Sequence, residues 1–153
     1  MGASSKEVKE EKHRQSYVID ASALYPMLLQ MDSASLARLL PELTIIDLTK
    51  YEIGNAARFD RKIKDAYHLT ELWKEVLSSM REVQITDLAA VQKVALEHGI
   101  TFYDAAYIHA ALESKSKLVT ADGEILQKFR NVALDPKEVT SSSFLHFDRQ
   151  GSA

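Results

Sequence analysis

The amino-acid sequence predicts one α/β domain built on a parallel sheet that is covered by helices on both faces. Three observations lead there. Short apolar runs recur along the chain at Tyr17–Ile19, Thr44–Leu48, Val83–Ile85, Lys117–Thr120 and Asn131–Leu134. They are too short for helices and suit buried strands. The segments between them carry helical periodicity instead. Hairpin dipeptides, which an all-β fold needs, are limited to Asp122-Gly123, and that pair stands between a strand and a helix. Strand–helix alternation of this kind implies parallel pairing with both faces buried.

Taken in order, the first strand, Tyr17–Ile19, closes on Asp20. The second, Thr44–Leu48, is rich in β-branched residues. Helix is predicted over Asp65–Met80, where Leu69, Leu72, Trp73, Val76, Leu77 and Met80 form one stripe. A weaker third strand at Val83–Ile85 precedes a helix over Thr86–His98, with Leu88, Val91, Val94 and Ala95 on one side and Gly99 as its stop. Phe102–Ser114 is nearly all apolar or small, which predicts a helix buried on most sides. The fourth strand leads through Asp122 into a helix that includes Glu124–Phe129, and the fifth strand follows.

Composition narrows the function. The chain has 153 residues, enough for one ordinary domain, and 46% hydrophobic residues, enough for a real core. With 19 basic and 22 acidic residues the net charge is −3, which excludes a protein that coats nucleic acid by net charge alone. A local basic patch is compatible with that total. The absence of cysteine excludes disulfides, thiolate metal sites and cysteine nucleophiles. Histidines 13, 68, 98, 109 and 146 show no paired spacing of the kind zinc needs, and His109 reads as a hydrogen-bonded core residue. No apolar run is long enough to span a membrane and no secretory signal is visible, so a cytoplasmic protein is expected.

In an open parallel sheet, chemistry collects beyond the carboxyl ends of the strands. Four carboxylates are candidates there. Asp20 ends the first strand, Glu52 follows the second in Thr49-Lys50-Tyr51-Glu52, Asp104 opens the buried helix after Thr101, and Asp122 ends the fourth strand. Each has a plain structural explanation. Asp20 and Asp122 suit N-caps, and Thr49–Glu52 and Thr101–Asp104 suit capping boxes. As a set they imply more. Two like charges about 4 Å apart repel by about 4 kcal/mol at an effective dielectric near 20, so a cluster needs cations or protons to persist. Lys50 is the only cation inside these motifs. An oxygen-only donor set suits Mg²⁺ or Mn²⁺. Asp104 carries a condition, because it follows a helix: the Thr86–His98 segment must be short, tilted or crosswise for Asp104 to reach the rim shared by the others.

The motifs together resemble the PIN-domain ribonucleases over roughly residues 17–135. The resemblance rests on Val18-Ile19-Asp20-Ala21-Ser22, on the Leu-Thr-x-x-Glu-Ile-x-Asn start from Leu48 to Asn55, on Tyr103-Asp104-Ala105-Ala106-Tyr107, and on Leu118-Val119-Thr120-Ala121-Asp122. The single-domain layout looks most like the VapC-type toxins of toxin–antitoxin pairs. The resemblance implies a three-layer α/β/α sandwich with four to five parallel strands over residues 17–140. The polar, charged composition of residues 1–16 predicts a mobile N-terminal tail, and 141–153 are expected to form a C-terminal tail. The resemblance also implies an endoribonuclease that cleaves RNA phosphodiester bonds with a metal-activated water. It carries Asp20, Glu52, Asp104 and Asp122 into a site for one or two Mg²⁺ or Mn²⁺ ions. Ser22 and Thr120 are expected to orient the carboxylates, and Asn55 either reaches the site or bonds a nearby loop. Where relatives often have a basic residue before the last Asp or an aromatic after it, this chain has Ala121 and Gly123-Glu124.

Substrate grip has several candidates. Arg58, Arg61, Lys62 and Lys64 either contact RNA phosphates or form a solvated helix end. Tyr25, Tyr103 and Tyr107 either stack on bases or pack in the core. Tyr25–Leu29 with Leu36, Leu39 and Leu40 makes either core or a surface groove, which in the resembled toxins holds an antitoxin and a homodimer mate. A PIN protein of RNA processing or ribosome biogenesis and a non-catalytic binding module are the competing functions. A phospho-acceptor domain fits poorly, since Asp47 lies within its apolar run and no Lys follows Thr120.

Overall fold

The computed structural model describes residues 16–139. The two tails expected at 1–16 and 141–153 lie outside them, apart from Ser16. The elements are β1 (Tyr17–Ile19), α1 (Ala21–Gln30), α2 (Ser33–Leu39), a 3₁₀ turn (Leu40–Glu42), β2 (Leu43–Ile46) and α3 (Asp47–Phe59). They continue as α4 (Ala66–Ser79), β3 (Arg81–Val83), α5 (Leu88–His98), α6 (Phe102–Glu113), β4 (Lys117–Val119), α7 (Gly123–Lys128), β5 (Ala133–Leu134) and α8 (Pro136–Val139). All pairings are parallel, in the order β3-β2-β1-β4-β5.

The two-residue period of the strands builds the layers. Tyr17, Ile19, Leu43, Ile45 and Val119 point into one core with α1 to α4, where Leu24, Leu28, Ile53, Trp73 and Leu77 are buried. Val18, Ile46, Leu118 and Ala133 point the other way, into a core with Val91, Ile108, Ala111 and Ile125 of α5 to α7. The result is the expected three-layer α/β/α sandwich. The leucines proposed for a surface groove belong to the first core: Leu28, Leu39 and Leu40 are buried, Leu36 packs against them, and Leu29 is exposed.

The strand ends shift from the sequence reading for one shared reason. Helix α3 begins at Asp47, directly off the strand, and Thr49 Oγ1 accepts the Ile46 N–H at 3.2 Å. So β2 stops at Ile46, not Leu48. The register pairs Ile46 with Val83, and the edge strand β3 has no neighbour beyond that point, which ends it at Val83 instead of Ile85. β5 shortens because Phe129 O accepts the Val132 and Ala133 N–H groups in a turn. The helix ends match their signals: Asp65 and Asp87 cap α4 and α5, and Gly99 terminates α5 at φ 62°. Leu72 and Leu88, both placed on buried stripes by periodicity, are exposed.

Candidate active site

Each of the four acids is placed by a local rule. Asp20 follows β1, and its Oδ1 accepts the Ala23 N–H at 3.1 Å as the cap of α1. Asp122 caps α7 by accepting the Glu124 and Ile125 N–H groups at 2.9 and 3.1 Å. Asp104 is the third residue of α6, whose cap Thr101 accepts the Asp104 N–H at 3.0 Å. Glu52 differs from the expected capping box. Because α3 starts at Asp47, Thr49 is inside the helix and Glu52 lies in its second turn. Capping therefore explains Asp20 and Asp122 but leaves Glu52 without a structural duty of that kind.

The rim is shared. Helix α6 packs on β1 and β4 and reaches β4 through only residues 114–116. It must run antiparallel to the strand it feeds, so its N-terminus, with Asp104, stands at the carboxyl ends of the strands. Helix α5 packs on α6 and is not the crossover, which satisfies the condition on Asp104. The electrostatics fit this gathering. Burial raises the proton affinity of Asp20, and the charge of Asp104 raises it further, against the hydrogen bonds from Ser22, Thr120 and Ala23. Glu52 is raised by burial, then by Asp20 and Asp104, against its bond from Tyr107. Asp104 is raised by burial, then by Asp122 and Glu124, against the Thr101 hydroxyl. Among the described residues no cation offsets any of them. Lys50, the cation inside the motifs, pairs instead with Glu82 of β3 at 2.9 Å.

Hydroxyls hold these acids. Ser22 Oγ donates to Asp20 Oδ1 at 2.6 Å, stands 3.3 Å from Thr120 Oγ1 and accepts the Ala121 N–H at 3.0 Å. Thr120 Oγ1 accepts the Asp122 N–H at 3.1 Å. The ends of β1 and β4 are thus laced through two side chains. Tyr107, 2% exposed, donates from its hydroxyl to Glu52 Oε1 at 2.7 Å and lies 2.8 Å from Thr49 Oγ1. It is too buried to stack on a base. Among the described residues no three carboxylate or imidazole groups form a ready-made ion cage. Asp20 Oδ1 and Glu52 Oε1 are turned to their hydroxyl donors.

Asn55 is one turn from Glu52 on α3 and lines, with Ser22, Tyr25, Pro26, Glu52 and Ala56, a cleft of about 310 Å³ between α1 and α3. Arg58 lies in the last turn of α3, and Arg61 and Lys62 lie beyond its cap Asp60. All three are exposed at the end of the helix away from Glu52 and are not brought to the carboxylates. His109 Nε2 stands 2.8 Å from Glu113 Oε2, one turn along α6. Two site residues escaped the sequence reading. The neighbours of Tyr107 suggest only stacking or core packing, and its partner Glu52 is 55 residues away. Glu124, whose charge reaches Asp104 while it pairs with Lys128 at 2.9 Å, carries no motif that marks it.

An apolar α/β/α sandwich with acids gathered at one rim narrows the family, and a family model decides it. The PIN domain model matches residues 17–133. The chain belongs to the PIN-domain family. This PIN domain is 41% identical over 116 residues to Exonuclease VapC9 of Pyrobaculum aerophilum, spanning 73% of the chain and 84% of the relative. Ribonuclease VapC3 of the same organism is 32% identical over 126 residues, spanning 73% of the chain and 93% of the relative. The crystal structure of PAE2754 from Pyrobaculum aerophilum matches with a TM-score of 0.72 at 35% identity, covering 83% of this chain and 95% of that one. A toxin–antitoxin complex from Klebsiella pneumoniae shares the fold, with a TM-score of 0.59 at 20% identity over 79% of this chain and 98% of that one. Among the described residues no helix is long and apolar enough to cross a membrane.

Proposed function

We propose that this PIN-domain protein is a nuclease that hydrolyses RNA phosphodiester bonds within the strand, and that it is the toxin of a toxin–antitoxin pair. One observation carries the reading: at one rim Asp104 raises the proton affinity of Asp20, Asp20 and Asp104 raise that of Glu52, and Asp122 raises that of Asp104, with no cation among the described residues offsetting them. A fold selected only for stability has no use for such a cluster. The nuclease names of two relatives support the same reading.

The donor set is all oxygen and carries uncompensated negative charge, which fits a hard divalent cation. Asp20, Glu52, Asp104 and Asp122 would hold one or two Mg²⁺ or Mn²⁺ ions. When bound, such an ion neutralises charge on the phosphate and acidifies water. The chain does the rest. Ser22 fixes the rotamer of Asp20, and Tyr107 fixes that of Glu52 from a hydroxyl that burial makes hard to ionise. Thr120 holds the backbone of Asp122, so the spacing of β1 and β4 sets the spacing of two acids.

The test is cleavage of a labelled linear RNA and a circular RNA with Mn²⁺, with chelator, and with Asp20→Asn. Both RNAs should be cut by the parent with Mn²⁺ and neither in the other two conditions. Cutting of the linear RNA alone would make the enzyme an exonuclease. Cleavage by Asp20→Asn at the parent rate would remove the proposed site. Co-purification with a small protein encoded by the neighbouring gene, and loss of cleavage on adding it, tests the toxin role.

A further inference from the structure

The exposed face of α3 is not explained by the fold. Phe59 is 70% exposed and Tyr51 77% exposed on a helix whose buried side already has Thr49, Ile53 and Ala57. At 100° per residue, Glu52, Asn55, Ala56 and Phe59 fall on one face, at spacings of three, four and seven. That face begins at a rim carboxylate, passes the cleft that Asn55 lines with Ser22 and Glu52, and ends at Phe59 about 10 Å along the axis. The Arg58 guanidinium sits 5.1 Å from the centroid of the Phe59 ring. Arg61 and Lys62 follow directly, both exposed.

This order of groups is what a single nucleic-acid strand needs. Aromatic faces stack unpaired bases, cations track phosphates, and an amide offers both donors and an acceptor to a base edge. We propose that the α1–α3 cleft and Phe59 form a base-binding subsite for single-stranded RNA, in which Asn55 bonds the base nearest the carboxylates and Phe59 stacks the next. The proposal rests on the nuclease reading for its substrate. Continuity with Glu52 and the three cations at the far end select RNA over a protein as occupant.

The test uses the full chain in an Asp20→Asn background, so that RNA survives, and measures binding of a labelled single-stranded RNA. Phe59→Ala should weaken binding about tenfold, Phe59→Trp should restore it, and Phe59→Leu should not. Binding of the same sequence as a duplex should be weaker and should not respond to Phe59→Ala. Tyr67→Ala, an equally exposed aromatic on α4, controls for general stickiness and should leave binding unchanged. In the cleaving parent, Phe59→Ala should raise KM by the same factor with kcat unaltered. Equal binding by Phe59→Ala, or rescue by Phe59→Leu, overturns the subsite. If RNA binds as expected but the parent never cuts it, the nuclease reading fails and the subsite stands.

Discussion

The two ends of the same sheet are built from different chemistry. At the amino ends of β1 and β4 the two strands are joined by hydroxyls: Ser16 Oγ and Ser116 Oγ are 2.6 Å apart, and Ser114 Oγ donates to Ser116 Oγ at 2.9 Å. At the carboxyl ends the same two strands end in Asp20 and, three residues on from β4, Asp122, with Glu52 and Asp104 brought alongside. Hydroxyls satisfy the amino end without mutual repulsion. The carboxyl end uses hydroxyls as well, at Ser22, Thr120 and Tyr107, but there they hold carboxylates that burial and mutual charge push toward protonation. A sheet can be closed cheaply, and this one is closed cheaply at one end only. The costly end is the one to which we assign the chemistry.

Substitutions should separate the two ends. The largest effect is expected for Asp20→Asn, which keeps an N-cap acceptor but removes the charge. RNA cleavage should fall roughly a thousandfold, the scale on which loss of one group that organises transition-state charge is felt. Far-ultraviolet circular dichroism should be unchanged. Tyr107→Phe should reduce cleavage roughly ten- to a hundredfold, as loss of a group that orients a ligand does. It should also cost about 1–3 kcal/mol of stability in denaturant titration, since Thr49 and Glu52 both lose a partner in a buried setting. Ser116→Ala at the amino end should cost about 1 kcal/mol, a few degrees in Tm, and leave cleavage at the parent rate.

The pH dependence sharpens the contrast. Asp20, Glu52 and Asp104 bind protons more tightly folded than unfolded. Their contribution to stability is therefore greatest where they are protonated and is lost as pH rises through the raised folded values. With chelator present, Asp20→Asn should melt above the parent at neutral pH. That advantage should shrink as pH falls toward the ordinary carboxylate range. A gain independent of pH would mean that charge is not what Asp20 costs the fold.

Much of this was legible along the chain. The strands show as short β-branched runs, and Asp20 and Asp122 sit at helix starts because a strand that turns into a helix needs a cap there. What was not legible depends on partners distant in sequence. The end of β3 is set by where β2 departs into α3. Glu52 is not a cap because α3 starts earlier than the apolar run suggested. Tyr107 reads as core from its neighbours, and only the approach of α6 to α3 gives its hydroxyl a carboxylate. The position of Asp104 was conditional on the sequence alone, since a helix after a helix has no fixed direction. The short 114–116 link to β4 settles that direction.

Calorimetric titration of Mn²⁺ into the parent, Asp20→Asn and Asp104→Asn tests most directly whether acids separated by 84 positions act as one charge trap. Saturable binding in the parent, lost in both variants, is the expected result. Asp104→Asn binding Mn²⁺ as tightly as the parent would contradict it.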